Sequence, residues 1–262
     1  MQTEGKEFLT QPAVAVQTPP ANERRLVAPL WHTVLFIVVL LANSFFTART
    51  LPKVASGATG KQRIFEYAFT IGFEIVLLLF AWFGIRLRGV KMRELIGGRW
   101  ESIEDFLIDI GIAIGFWVVA LLVLGGLGYL LGLAKASQAG EAKKLADMLA
   151  PDSPLALATF VLLSTVAGFV EEIVFRGYFQ KQFTALTGSV YLGLIIQAIL
   201  FGAGHGYEGA RRMCLIAVFG AMFGLLALWR KSLRPGMMAH AAHDSFAGIA
   251  LYLVKRGVIP MK

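Results

Sequence analysis

Two glutamates and an arginine lie inside an apolar stretch of the C-terminal half, where ionisable side chains are costly and indicate function. The stretch reads Gly168-Phe-Val-Glu-Glu-Ile-Val-Phe-Arg176. On a helix Glu172 and Arg176 lie one turn apart and can pair, whereas Glu171 is turned about 100° away from Glu172. The pair is either an ion pair at the membrane boundary or a support for a site, and we predict that Glu171 faces a cavity.

Histidines occur in two further apolar stretches, Phe201-Gly-Ala-Gly-His205 and His240-Ala-Ala-His-Asp244. The two glycines before His205 allow a close backbone approach or a break in the helix. His240 and Asp244 share a helical face, and His243 lies off that face as a bystander. Each stretch alone has a structural explanation, but the three together predict a functional cluster.

Carboxylates and imidazoles that lie close together serve one of two chemistries. They transfer protons to and from a reacting group, or they bind a divalent ion such as zinc through oxygen and nitrogen ligands. The candidate residues for both are Glu171, His205, His240 and Asp244. The His-Glu-x-x-His signature of many zinc proteases is missing from the sequence. We favour a reaction without a cofactor and keep a bound divalent metal as the alternative.

Taken in order, Glu-Glu-x-x-x-Arg, Phe-x-x-x-His and His-x-x-x-Asn/Asp resemble the motif set of the CAAX prenyl endopeptidase type II family, also called CPBP or Abi. That family includes bacteriocin-processing and self-immunity relatives. The motifs cover about residues 155–250, and the N-terminal half carries no recognisable signature. The resemblance implies an all-α polytopic membrane protein whose last four helices form a conical intramembrane cavity.

The resemblance also implies a role for each residue. Glu171 would be the general base that activates water, and His205 would share that task. His240 and Asp244 would polarise the scissile carbonyl or stabilise its oxyanion. The Glu172–Arg176 pair would support the first motif from behind.

Position 244 holds Asp, where many relatives have Asn. An ionised Asp cannot donate a hydrogen bond to an oxyanion. Asp244 would instead orient His240, stay protonated or bind a metal.

The composition indicates a membrane protein. Hydrophobic residues make up 56% of the chain, only 16% are charged, and the mean hydropathy is +0.66; a soluble domain has about a quarter charged residues. The net charge of +8 comes from Lys and Arg between the apolar runs, which fits membrane loops better than nucleic-acid binding. Cys214 is the only cysteine, so no intrachain disulfide is possible.

The apolar runs predict a bundle of seven transmembrane helices, or eight if the third run breaks at its glycines. They lie at about residues 30–48, 65–87, 106–134, 155–179, 190–206, 213–229 and 235–254. A short interfacial helix is predicted at 141–149. We divide the chain into a disordered tail (1–28), N-terminal transmembrane helices (29–134), a polar loop (135–152) and a catalytic transmembrane domain (153–262).

Three polar residues of the N-terminal half are given no part in the chemistry. Glu74 and Asp109 are predicted to face the bundle interior or an interface. His32 is predicted to lie at the membrane interface beside Trp31.

These patterns favour an intramembrane endopeptidase, a hydrolase that cuts a membrane-associated peptide or protein, such as a prenylated CAAX-type or bacteriocin-like peptide. The expected location is the bacterial cell membrane, and the oligomeric state is left open. One alternative is a non-proteolytic membrane scaffold or self-immunity protein. Another is an ion or proton transporter, which the lack of a clear inverted repeat disfavours.

Overall fold

The computed structural model of the chain describes residues 25–55, 60–133, 135, 137 and 139–259, and within them it forms helices and no β-strand. The α-helices are α1 (Leu30–Ala55), α2 (Lys61–Arg86), α3 (Met92–Ile96), α4 (Ile103–Leu130), α5 (Ala139–Leu149), α6 (Pro154–Glu171), α7 (Lys181–Thr187), α8 (Val190–Gly204), α9 (Ala210–Arg230) and α10 (Arg234–Lys255). A π-helical segment (Glu172–Gln180) joins α6 to α7, and a 3-10 turn (Gly206–Glu208) follows α8. The all-α prediction is confirmed, as is the short helix α5.

Five helical stretches in the described part of the chain are long and apolar enough to cross a bilayer: Leu30–Thr50, Lys61–Arg86, Ile103–Leu130, Pro154–Thr187 and Ala210–Arg230. The apolar helix α8 has only 15 residues, and α10 is less apolar because of its histidines and Asp244. Many large apolar side chains point outwards, as lipid-facing residues do. The chain is therefore an integral polytopic membrane protein. Since α4 runs unbroken through its glycines, the structure does not follow the eight-helix alternative.

Serine side chains fix where three of the helices begin. Ser102, Ser153 and Ser189 each accept a hydrogen bond from a backbone N–H in the first turn of α4, α6 and α8. These bonds satisfy donors that a helix start leaves free. Gly188, with φ of 68°, ends α7 and permits the tight turn into α8.

The residues just before α1 and its first turn pack deep against the C-terminal half, which corrects the end of the predicted disordered tail. The backbone N–H groups of Val27 and Ala28 donate to Gln182 Oε1, so ordered packing begins inside the predicted tail, which otherwise lies outside the described residues. His32 is fully buried, with Nδ1 2.8 Å from Tyr178 Oη. The sequence did not predict this burial, and the position of His32 at the membrane interface stays a prediction.

Asp109 ties α4 to the end of α9. Its carboxylate accepts from Arg230 Nε at 2.8 Å and from Trp100 Nε1 at 2.8 Å. Both carboxylate oxygens are thus occupied by structural partners, and the burial of Asp109 agrees with the first of its two predicted positions, the bundle interior or an interface.

The helices α6 and α10 approach each other closely at Gly168. A Cβ atom at Gly168 would lie 2.5 Å from the backbone nitrogen of Ala241 and 2.8 Å from its Cα. Small residues permit this kind of contact between membrane helices. It brings the end of α6 beside the first half of α10.

We expect Gly168→Ala to destabilise the protein by about 1–3 kcal/mol, because the added methyl group overlaps the backbone of α10. Gly115→Ala in α4 is the matched control, since nothing lies within 4 Å of a Cβ there. Gly115→Ala should be neutral or stabilising by up to about 1 kcal/mol. Denaturation of both purified variants in detergent measures the difference, and equal midpoints would contradict this account of the contact.

Candidate active site

His240 links the first and third motifs. It lies in the first half of α10 with 3% of its surface exposed. Its Nδ1 is 3.1 Å from Glu172 Oε1. Its Nε2 faces two other carboxylates, at 3.6 Å from Glu171 Oε2 and 3.7 Å from Asp244 Oδ2. The structure therefore brings Glu171, His240 and Asp244 together around one ring nitrogen.

Glu172 and Arg176 form a buried ion pair, with Arg176 Nη1 2.8 Å from Glu172 Oε1. Arg176 also donates to the carbonyl oxygen of Gly220 at 3.2 Å, and its guanidinium lies over the ring of Phe201 at 4.3 Å. Glu172 does more than support the first motif, because the carboxylate oxygen that pairs with Arg176 also forms a hydrogen bond with His240. Its acceptor position fixes Nδ1 of His240 as the donor.

The segment that carries Glu172 and Arg176 is π-helical rather than α-helical. Every residue from Glu172 to Gln180 is buried. In a π-helix each hydrogen bond spans five residues instead of four, and such segments are common at functional sites. The wider turn still keeps the two charged side chains in contact, as their spacing predicts.

His205 lies beside this cluster rather than inside it. Among the described residues it forms no hydrogen bond to Glu171, His240 or Asp244, although its charge acts on Asp244. Its Nδ1 is 2.9 Å from the carbonyl oxygen of Phe201. A carbonyl oxygen only accepts, so Nδ1 carries a proton, and when the ring is neutral Nε2 keeps a lone pair. The Phe201 ring packs edge-on against both histidines, at 5.0 Å from His205 and 5.9 Å from His240.

The cluster opens on the side of its two outer carboxylates. The side chain of Glu171 is 16% exposed and that of Asp244 is 35% exposed, whereas His240 is enclosed. His243 turns away toward α4, where its Nδ1 accepts from Trp117 Nε1 at 3.2 Å. A small polar molecule that enters this opening meets two carboxylates and one imidazole nitrogen.

Comparison with known proteins agrees with the motifs. Residues 153–246 match the family model described as type II CAAX prenyl endopeptidase Rce1-like. We call these matched residues the Rce1-like domain. The match runs from just before α6 into α10 and includes Glu171, His205, His240 and Asp244. No curated protein and no solved structure matches the chain. The Rce1-like domain supports a protease-type membrane enzyme with a peptide substrate.

A fourth carboxylate lies near the cluster and comes from outside the Rce1-like domain. Glu74 of α2 is buried at 6% exposure, and its Oε2 has no hydrogen-bond partner among the described residues. The charges of Glu171 and Asp244 act on it. The sequence does indicate Glu74, because it is an ionisable residue at the middle of a span. No motif surrounds it, however, so its sequence context assigns it no role.

Two further polar residues, Tyr207 and Glu208, were not predicted from the sequence, and they lie in the turn after His205. Burial raises the pKa of the Tyr207 hydroxyl well above its usual value. Burial also raises the pKa of the Glu208 carboxyl, and the nearby charge of His205 opposes that rise. Both groups interact electrostatically with Glu171. The turn after α8 therefore adds to the polarity around the opening.

Across the described parts of the chain, no three His, Cys, Asp or Glu side chains are placed to hold a metal ion. Nδ1 of His240 is bonded to Glu172, so Nε2 is the ring nitrogen that faces Glu171 and Asp244.

Proposed function

We propose that the protein is an intramembrane endopeptidase that hydrolyses a peptide bond of a membrane-associated peptide with glutamate-activated water. Prenylated CAAX-type and bacteriocin-like peptides are the substrate classes we propose, and the bacterial cell membrane is the proposed location. The observation that carries the proposal is the pair of partly exposed carboxylates, Glu171 and Asp244, on either side of His240 Nε2 in an apolar bundle.

In the proposed reaction, Glu171 accepts a proton from a water molecule at the opening, and that water attacks the scissile carbonyl carbon. The lone pair on His205 Nε2 helps to orient the same water. The proton then passes from Glu171 to the leaving amine as the carbon–nitrogen bond breaks. Between these steps the carbonyl oxygen carries negative charge, which needs a donor placed in advance.

His240 is the proposed donor to that oxygen. Glu172 accepts the Nδ1 proton and fixes the plane of the ring, so that Nε2 points into the opening. When Nε2 carries a proton it donates to the oxyanion. Of the three roles open to Asp244, we propose that it orients His240, since its carboxylate lies 3.7 Å from Nε2.

The direct test is cleavage of a membrane-tethered peptide library by the purified protein in liposomes, with products identified by mass spectrometry. We expect cut peptides from the wild-type protein. A folded wild-type protein that cuts none of them, while its cellular phenotype survives Glu171→Ala, would instead support the non-proteolytic scaffold.

Replacing Asp244 gives a graded prediction. Asp244→Asn should keep activity within about tenfold of wild type, because an amide still contacts His240 and can itself donate to an oxyanion. Asp244→Ala should lose about a hundredfold or more, because neither interaction remains. Initial cleavage rates of the two variants decide the point, and cleavage by Asp244→Ala at the wild-type rate would remove Asp244 from the proposed mechanism.

We propose that the reaction needs no metal ion. Incubation with EDTA or 1,10-phenanthroline, followed by removal of the chelator, should leave the cleavage rate within about twofold of the untreated protein, because the proposed base is a carboxylate. A rate that falls with the chelator and returns with added Zn²⁺ would contradict this proposal.

A further inference from the structure

The end of α8 is held by a residue of α1, far outside the Rce1-like domain. Ser44 is buried at 5% exposure and follows Phe36 and Leu40 on the buried face of α1. Its Oγ donates to the carbonyl oxygen of Ala203 at 2.6 Å. Ser44 Oγ also accepts a hydrogen bond from the backbone N–H of Gly206 at 3.1 Å. One hydroxyl therefore bridges the backbone on both sides of His205.

This bridge acts where α8 stops inside the bundle. The last carbonyl groups of a helix have no partner within it, and each needs one when buried. His205 Nδ1 donates a hydrogen bond to the carbonyl oxygen of Phe201, and the Ser44 hydroxyl donates one to the carbonyl oxygen of Ala203. The contact is close, since a Cβ atom at Gly206 would lie 2.8 Å from Ser44 Oγ. The backbone of His205 is thus fixed by α1 and its ring by α8.

We propose that Ser44 is a positioning residue that acts through His205 and sets where its Nε2 points. This inference rests on the proposed function, in which His205 orients the attacking water. Ser44 does not touch the reacting atoms. The two hydrogen bonds of Ser44 matter because two of the three residues 204–206 are glycines. Without those bonds, few side-chain contacts define the conformation of the turn.

A double-mutant cycle separates positioning from general stability. We expect Ser44→Ala to lower kcat by about ten- to a hundredfold with KM nearly unchanged, because a small displacement of a catalytic group has an effect of this size. In a His205→Ala background the same change should alter kcat by less than about twofold. Equal losses in both backgrounds, or no loss in the wild-type background, would overturn the proposal.

Thr50→Ala is the matched control, since Thr50 also lies on α1 and, among the described residues, its hydroxyl bonds only to the carbonyl oxygen of Phe46 in its own helix. It should leave kcat unchanged. Hydrogen–deuterium exchange gives a readout that needs no activity: Ser44→Ala should speed exchange in residues 203–209 by about fivefold or more, with α9 unaffected. Unchanged exchange there would overturn the proposal even if His205→Ala were inactive. If the wild type cut no peptide, the endopeptidase proposal would fail, while the exchange result would still decide the role of Ser44 at this turn.

Discussion

Glu171→Gln is expected to lower kcat for cleavage of a membrane-tethered peptide by about 10²–10⁴-fold. Glutamine keeps the size and polarity of the side chain but cannot take a proton from water. Glu171 sits at the opening of the cluster with 16% of its side chain exposed, and no salt bridge to Lys or Arg depends on it in the described residues. The variant should therefore stay folded, and the loss should appear in kcat rather than in the yield of protein.

Glu104→Gln is the matched control for this experiment. Glu104 is an exposed glutamate in the first turn of α4, away from the cluster. Its replacement should leave kcat unchanged. Both variants are assayed with one identified peptide in liposomes, beside a melting curve of each protein. Cleavage by Glu171→Gln at the wild-type rate would rule out Glu171 as the base.

The second large effect concerns stability and comes from the buried pair. Arg176→Met should lower the free energy of unfolding by about 3–5 kcal/mol, because it leaves the Glu172 carboxylate buried without its cation. Glu172→Gln combined with Arg176→Met should recover at least about 1 kcal/mol relative to the sum of the two single changes. Unfolding of the purified variants in mixed micelles by SDS titration measures these differences.

The chain supplies its own comparison for the buried pair. Lys143 and Asp147 have the same spacing on α5 and a distance of 2.6 Å, but their side chains are 61% and 56% exposed. Lys143→Met should cost less than about 1 kcal/mol, because water screens an exposed pair. If Arg176→Met were as mild as Lys143→Met, burial would not be what makes the Glu172–Arg176 pair important.

The sequence predicts most of the helices because long apolar runs in a membrane protein have few other solutions. The run at 190–206 becomes α8 at Val190–Gly204. Spacing within one helix is equally informative, and the Glu172–Arg176 pair is found at 2.8 Å. The π-helical segment could not be predicted, because the pattern of apolar residues does not distinguish hydrogen bonds that span four residues from those that span five.

Contacts between side chains of different helices could not be predicted from the sequence. The spacing of His240 and Asp244 predicts a shared face, but it does not show that Glu172 would hold the opposite nitrogen of the His240 ring. His205 belongs to the same motif set, yet its ring lies apart, with Phe201 packed against both histidines. Glu74 and Ser44 reach the site from helices that carry no motif, and only the docking of α1 and α2 reveals them.

The length of α8 has a consequence for how the reactants meet. Its 15 residues span about 22 Å at about 1.5 Å per residue, whereas the hydrocarbon core is about 30 Å thick. Such a hydrophobic mismatch thins the bilayer locally or draws the aqueous phase inwards. α8 ends at Gly204, next to His205, whereas α4 has 28 residues and is long enough to span the full thickness. Under the proposed function, thinning of the bilayer at the His205 end of α8 would let water reach the cluster from the surface while a lipid-anchored substrate stays in the hydrocarbon.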